Sequence, residues 1–147
     1  MPRTPAESGF TAIEIILVIL LVGILAVVAT PALKTSPIDA STAADMVKND
    51  LRFLQALAMA RNPQNPGEVG ITFTVGQSSY VIDDPQDVFD DTRQLPSRAV
   101  ISSGGTLSFN KYGEPEFAGA SQSFQVSSGG NLRTITVEQI TGRVTVS

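Results

Sequence analysis

The sequence predicts an α+β protein in which a long apolar N-terminal helix continues into an amphipathic helix, and this second helix packs on an antiparallel β-sheet head. Three observations lead to this prediction. Of the 24 residues from Phe10 to Leu33, 19 are hydrophobic. Between residues 40 and 58, apolar side chains recur every three or four positions, as on one face of a helix. After Pro66-Gly67, short alternating runs are separated by turn residues, as in β-hairpins.

The composition excludes several classes of catalytic site. The chain has 147 residues, 10 Lys and Arg, 14 Asp and Glu, and neither His nor Cys. Sites that pair Ser or Cys with His, and metal sites built from imidazole or thiolate ligands, are therefore excluded. The sequence contains no glycine-rich phosphate loop and no dinucleotide-binding fingerprint. We therefore expect a protein that is not an enzyme and that binds no cofactor.

The apolar run allows three interpretations. Its 20 residues from Phe10 to Ala29 would form a helix about 30 Å long, which matches the hydrocarbon core of a bilayer. It can be a secretory signal peptide with Arg3 at its basic end, a simple membrane anchor, or a segment that is cleaved before the run. Glu14 favours the third interpretation, because a carboxylate in a membrane helix costs roughly 2.5–3.5 kcal/mol at worst. The other two interpretations give this acid no purpose.

The residues around this acid carry a family resemblance. The segment Ser8-Gly9-Phe10-Thr11-Ala12-Ile13-Glu14-Ile15-Ile16-Leu17 closely resembles the N-terminus of type IV pilins and pseudopilins. The resemblance implies that a prepilin peptidase cuts between Gly9 and Phe10 and methylates the new amine of Phe10. Glu14 is the fifth residue after this cut, as the family pattern requires.

The resemblance also implies an organisation of the chain and a location. Residues 1–9 are expected to be the leader, residues 10–33 a transmembrane and assembly helix, and residues 34–147 a periplasmic head. Gly23 and Pro31 stand where many family members carry a glycine and a proline, and both weaken helical hydrogen bonding. The precursor is expected to cross the bacterial inner membrane once, and the mature subunit to join a periplasmic pseudopilus or a cell-surface pilus.

Glu14 has a specific role in this interpretation. The carboxylate of one subunit attracts the Phe10 ammonium of its neighbour, so that two buried charges neutralise each other. Removing one partner of a buried ion pair typically costs about 3–5 kcal/mol, so the pair can set the register between helices. The expected partners are other pilin or pseudopilin subunits, the prepilin peptidase, the inner-membrane assembly machinery, and membrane lipid before assembly.

The head is predicted to begin with one long amphipathic helix. Asp39 is a candidate N-cap, and Arg61 before Asn62-Pro63 is a candidate end. One apolar stripe runs between them and consists of Ala40, Ala43, Val47, Leu51, Leu54 and Ala58. We expect the stripe to pack on a sheet, although a coiled-coil seam to another subunit has the same pattern.

Six or seven short strands are predicted after this helix. They form an antiparallel sheet that is curled or split in two. The strand candidates are residues 69–75, 80–82, 99–102, 106–110, 122–127, 132–138 and 143–146. Gly104-Gly105, Gly129-Gly130-Asn131 and Thr141-Gly142 separate neighbouring candidates as hairpin turns do.

Two segments of the head carry a looser resemblance. Residues 107–115, Leu-Ser-Phe-Asn-Lys-Tyr-Gly-Glu-Pro, and the closing hairpin over residues 135–146 resemble the GspH/FimT domain of minor pseudopilins and fimbrial minor pilins. Together the two resemblances favour a structural subunit of a type II secretion pseudopilus, which serves protein secretion. The alternative is a minor pilin of a type IV pilus, with a role in adhesion, motility or DNA uptake.

An acidic loop is the one candidate metal site. It contains five acids, Asp83, Asp84, Asp87, Asp90 and Asp91, and clusters of carboxylate oxygens can hold calcium. The spacing matches no EF-hand loop, however, and Pro85 interrupts it. We therefore expect a solvated loop without a metal ion.

DNA is not an expected partner. DNA binding in fimbrial members of the family is associated with a Gly-Arg-x-Arg motif near the C-terminus, and here Thr145 stands in place of the second arginine after Gly142-Arg143. The net charge of -4 also gives little electrostatic attraction to phosphates.

Overall fold

Two helices precede eight β-strands in the computed structural model, which describes residues 10–29, 36–86, 88–89, 91–96 and 98–147. The chain divides into two units, Met1–Lys34 and Thr35–Ser147. The first unit contains helix α1 (Ala12–Ala29), and the second contains helix α2 (Ser36–Arg61) and all the described strands.

Helix α1 is apolar along its length. Its sequence, Ala-Ile-Glu-Ile-Ile-Leu-Val-Ile-Leu-Leu-Val-Gly-Ile-Leu-Ala-Val-Val-Ala, contains one charged residue, Glu14 in the first turn. Among the residues that the structure describes, no helix combines the length and the apolar character needed to cross a membrane.

This finding corrects the fold and the location expected from the sequence. The predicted transmembrane helix over residues 10–33, and with it the single pass through the inner membrane, is wrong. Helix α1 has 18 residues and is therefore about 27 Å long, whereas the expected helix over residues 10–33 has 24 residues and would be about 36 Å long. The pilin-like architecture, in which one long apolar helix continues into an amphipathic helix, is also contradicted. The coarser class, α+β, agrees with the structure, and the antiparallel sheet, which was expected to be curled or split in two, is split in two.

Helix α2 begins at Ser36, three residues before the predicted N-cap. Pro37 lies in its first turn, where the missing N–H is tolerated, and Asp39 lies in the same turn, where its charge favours the helix dipole. The helix ends at Arg61 as predicted. Asn62 follows with φ 53° and donates its N–H to the Ala58 carbonyl oxygen, which is a C-terminal cap in the left-handed conformation.

Eight strands form two antiparallel sheets of four strands each. Sheet 1 has the order β3-β2-β1-β5, and sheet 2 has the order β4-β6-β7-β8. The strands are β1 (Gly70–Phe73), β2 (Ser79–Asp83), β3 (Asp91–Gln94), β4 (Val100–Ser103), β5 (Gly105–Ser108), β6 (Ser121–Ser128), β7 (Asn131–Glu138) and β8 (Val144–Val146).

The core of the second unit lies between helix α2 and the two sheets. Helix α2 packs mainly on β6, β7 and β8. The predicted apolar stripe of this helix is confirmed as core, because Ala40, Ala43, Val47, Leu51, Leu54 and Ala58 are all completely buried. The Phe73 ring of sheet 1 contacts the Phe124 ring of sheet 2 with a centroid distance of 4.6 Å, so the inner faces of the two sheets share one core.

A buried phenol adds a polar contact between helix α2 and sheet 1. The Tyr80 hydroxyl donates a hydrogen bond of 2.6 Å to Oδ2 of Asp50. Burial raises the pKa of Tyr80 above its usual range, and the hydrogen bond to the Asp50 carboxylate acts in the same direction. Such a bond orients the helix on the sheet, since an apolar stripe alone leaves its rotation less restricted.

Burial of the apolar stripe predicts that shortening one of its side chains destabilises the protein. Leu54→Ala should lower the free energy of unfolding of the full chain by about 2–5 kcal/mol, because it leaves a cavity in the core. Arg52→Ala, on the exposed face of the same helix, should change it by about 0.5 kcal/mol or less. Urea unfolding followed by tyrosine fluorescence measures both, and equal effects of the two substitutions would show that the stripe is not the core.

Candidate functional site

The surface of helix α1 is the candidate site, because it is apolar and uncovered. The large hydrophobic side chains between Phe10 and Leu25 have exposed fractions of 51 to 80%. Scattered exposed apolar residues are normal, but a continuous apolar surface of this size marks a place where another molecule binds. No charged side chain other than Glu14 interrupts the surface between Phe10 and Leu25.

Thr11 caps the N-terminus of helix α1. The Glu14 N–H donates to the Thr11 carbonyl oxygen at 3.1 Å and lies 3.4 Å from the Thr11 hydroxyl oxygen. Thr followed three residues later by Glu is the sequence of a capping box, and an acid in the first turn also favours the helix dipole. Glu14 therefore stabilises the start of its own helix in addition to any role between subunits.

The same end of helix α1 carries a shallow recess of about 260 Å³, lined by Phe10, Glu14, Ile15, Val18 and Ile19. Phe10, Glu14 and Val18 follow one another at intervals of four, and so do Ile15 and Ile19, so these residues lie in two neighbouring rows on one side of the helix. The structure thus brings Phe10 and Glu14, two residues singled out from the sequence, to one recess. Glu14 is the one charged residue among those that line this recess, and the lining surface itself is apolar.

The structure does not test the roles predicted for Gly9, Gly23 and Pro31. Gly23 lies within helix α1, which is continuous around it, and a Cβ atom at this position would meet no atom within 4 Å. Gly9 and Pro31 lie outside the described residues. The predicted cleavage after Gly9, the methylation of Phe10 and the helix-weakening roles of Gly23 and Pro31 therefore stay predictions.

The acidic loop was expected to be solvated, but one of its described acids, Asp84, is buried. Asp87 and Asp90 lie outside the described residues, Asp83 is exposed at the end of β2, and Asp91 begins β3. The Asp84 side chain, in contrast, is completely buried. Within the described part of the chain, no three acids are grouped in a way that could hold a metal ion.

Asp84 forms a buried ion pair with the last residue of helix α2. Arg61 donates from Nε to Oδ1 and from Nη2 to Oδ2 of Asp84, both at 2.9 Å. The Arg61 side chain is 17% exposed, and its Nη1 donates to Oε1 of Gln86 at 2.6 Å. This bidentate geometry is the strongest form of a carboxylate–guanidinium pair, and it ties the loop between β2 and β3 to helix α2.

The surroundings of Asp84 favour its charged form. The hydrogen bonds from Arg61 hold the pKa of Asp84 below its usual range; burial opposes this effect, and the backbone N–H groups of Gln86 and Phe89 reinforce it. The guanidinium carbon of Arg61 also lies 5.5 Å from the centroid of the Phe89 ring. The Phe89 ring in turn packs edge-on against Phe53. Sequence reasoning missed this pair, because Arg61 and Asp84 are 23 positions apart and no local spacing links them.

Comparisons with known proteins add no relative: no family model, no curated protein and no solved structure matches the chain. The resemblance described above therefore rests on the quoted residues alone.

The ion pair predicts a defined dependence of stability on pH. Asp84→Asn should lower the free energy of unfolding by about 3 kcal/mol at neutral pH, because it leaves the Arg61 charge without its partner. The lowered pKa means that this contribution is complete above the unfolded-state value, about pH 4, and is lost as the pH falls through the folded-state value. The difference in stability between the wild type and Asp84→Asn should thus shrink below about pH 4.

Urea unfolding at pH 7 and at acid pH measures this difference. Asp45→Asn is the matched control, because Asp45 is exposed on helix α2 and its substitution should have little effect at either pH. A difference between the wild type and Asp84→Asn that does not change with pH would contradict the assignment.

Proposed function

We propose that the chain is a minor, pilin-like structural subunit of a type IV filament, assembled through helix α1, and that it performs no catalysis. The observation that carries this proposal is the uncovered apolar surface of helix α1 with one acid in the recess beside Phe10. The resemblance of residues 8–17 to type IV pilins and pseudopilins supports it further. The filament we favour is a type II secretion pseudopilus, and the alternative is a type IV pilus.

The helices of neighbouring subunits cover one another in this proposal. Each Ile, Leu or Val side chain that moves from water into such a contact contributes about 1.5–3 kcal/mol when it becomes fully buried. The α1 surface offers many such side chains, so its burial is a sufficient driving force for association. The contact is not specific by itself, because apolar side chains tolerate shifts along the helix axis.

Glu14 supplies the specificity. Cleavage after Gly9 makes the nitrogen of Phe10 an ammonium group, and packing against a neighbour removes water from the recess. A carboxylate in such surroundings is stable only when it is paired. The ammonium group of an adjacent subunit is the partner that this end of the helix provides, and pairing with it sets the register of the contact.

Two substitutions separate this role from helix capping. Glu14→Gln keeps a side chain that suits a capping box but removes the charge, so incorporation into filaments should fall at least about tenfold, the equivalent of 1.4 kcal/mol. Thr11→Ala removes the cap, which costs about 1 kcal/mol of helix stability, but keeps the charge and should largely preserve incorporation.

The fraction of the subunit that sediments with filaments from producing cells measures both effects. Total subunit levels from the same cells serve as the control for expression. Normal incorporation of Glu14→Gln, or an equal loss in Thr11→Ala, would show that Glu14 acts only within its own helix.

A further inference from the structure

Two turns of the head meet at a polar recess that the proposed assembly through helix α1 does not use. The recess measures about 300 Å³ and is lined by Asn110, Glu114, Pro115, Gln139 and Ile140. Three of these residues belong to the loop after β5, and two belong to the turn between β7 and β8. Its volume lies at the lower end of the range found for ligand sites.

Gln55 of helix α2 lies close to both turns. Its side chain donates from Nε2 to the Gly113 carbonyl oxygen at 2.8 Å. A Cβ atom on Gly142 would collide with Nε2 of Gln55 and would lie 3.2 Å from the Gly113 carbonyl oxygen. Gly113 and Gly142 also have φ values of 77° and 62°, which favour glycine. A Cβ atom on Gly113 would meet Gln55 and Met59 of helix α2, each at 3.2 Å. Both turns therefore lie close to Gln55, and positive φ values make larger residues at either glycine unfavourable.

The Glu114 carboxylate is oriented by hydrogen bonds, but it forms no ion pair with any residue that the structure describes. Lys111 of the same loop places its ammonium group over the Tyr112 ring instead, 5.4 Å from the ring centroid. The Asn110 side chain accepts the N–H groups of Tyr112 and Glu114 at 2.9 and 3.0 Å, and its Nδ2 donates to Oε2 of Glu114 at 2.9 Å. Among the described residues, no Lys or Arg nitrogen lies within 4.0 Å of the Glu114 carboxylate, and its Oε1 accepts no hydrogen bond. One oxygen of a fixed anion thus remains available to a donor from outside.

The apolar residues beside the recess indicate what kind of molecule supplies that donor. Ile140 lines the recess and is 87% exposed, and Tyr112 is 70% exposed on the neighbouring loop. A small cation would leave both side chains in water, whereas a protein segment can cover them. Tyrosine is also enriched among the residues that dominate binding energy at protein interfaces.

We propose that the recess receives a Lys or Arg side chain from an extended segment of another protein. The cationic group pairs with Oε1 of Glu114, and an apolar side chain next to it in the segment covers Ile140. The Glu114 carboxylate is oriented before the partner arrives, which reduces the entropic cost of binding. The site lies entirely on the head and is independent of the way in which helix α1 assembles.

The test uses the full chain in a nonionic detergent and three probes. These are the peptide acetyl-Leu-Arg-Leu-amide, the same peptide with neutral citrulline in place of arginine, and free arginine. Backbone amide resonances of Glu114, Gln139 and Ile140 report binding in nitrogen–proton correlation spectra. We expect the arginine peptide to shift these resonances, the citrulline peptide to bind about fivefold more weakly, and free arginine to bind more weakly than the arginine peptide.

Two matched variants test whether the Glu114 carboxylate binds the arginine side chain. Glu114→Gln should weaken binding of the arginine peptide about fivefold and remove its preference over the citrulline peptide. Glu68→Gln is the control, because Glu68 also accepts a hydrogen bond from an asparagine side chain, Asn65, but lies outside the recess. It should leave binding unchanged.

Three outcomes would overturn the proposal. They are an arginine peptide that leaves the three resonances unshifted, a Glu114→Gln variant that binds it as tightly as the wild type, and free arginine that binds as tightly as the peptide. The last outcome would assign the recess to a small cation instead of a protein. Unaltered spectra of the unbound Glu114→Gln variant outside the loop over residues 110–115 would verify that the fold is intact.

Discussion

An apolar helix is unfavourable in water unless another molecule covers it, and helix α1 therefore needs a partner. Its large hydrophobic side chains between Phe10 and Leu25 are more than half exposed, and most of the stability of a helix in a protein comes from packing one of its faces against a neighbour. A neighbouring apolar helix meets this need, because it removes the same kind of surface from water on both sides. The single acid near the start then becomes the group that distinguishes one packing arrangement from another.

The second unit meets the same need within itself. Helix α2 buries its stripe against sheet 2, and the rings of Phe73 and Phe124 connect the two sheets. Polar contacts at Asp50 and at Arg61 add orientation, since hydrogen-bonded groups tolerate less sliding than apolar ones. A head that is stabilised internally leaves its surface available for partners, and the recess beside Ile140 is one such surface.

Patterns within single elements could be predicted from the sequence, and contacts between distant elements could not. The stripe of helix α2 repeats at helical spacing over many residues, so its burial was predictable. Strand β3, Asp-Thr-Arg-Gln, was missed, because it is an exposed edge strand and has no apolar alternation to identify it. Asp84 was expected in solvent, because its partner Arg61 comes from another part of the chain. The apolar run was read as a membrane span, because the 20 residues from Phe10 to Ala29 are mostly apolar, whereas helix α1 begins at Ala12 and has 18 residues.

Protection of helix α1 inside an assembled filament tests the central claim most directly. The chain contains no cysteine, so Val18→Cys introduces a single thiol on a side chain that is 53% exposed in the lone subunit. The rate of its reaction with a water-soluble maleimide can be compared between intact filaments and dissociated subunits. We expect slow reaction in filaments and fast reaction after dissociation, because neighbouring helices cover residue 18 in the filament. Equally fast reaction in both states would contradict assembly through this helix.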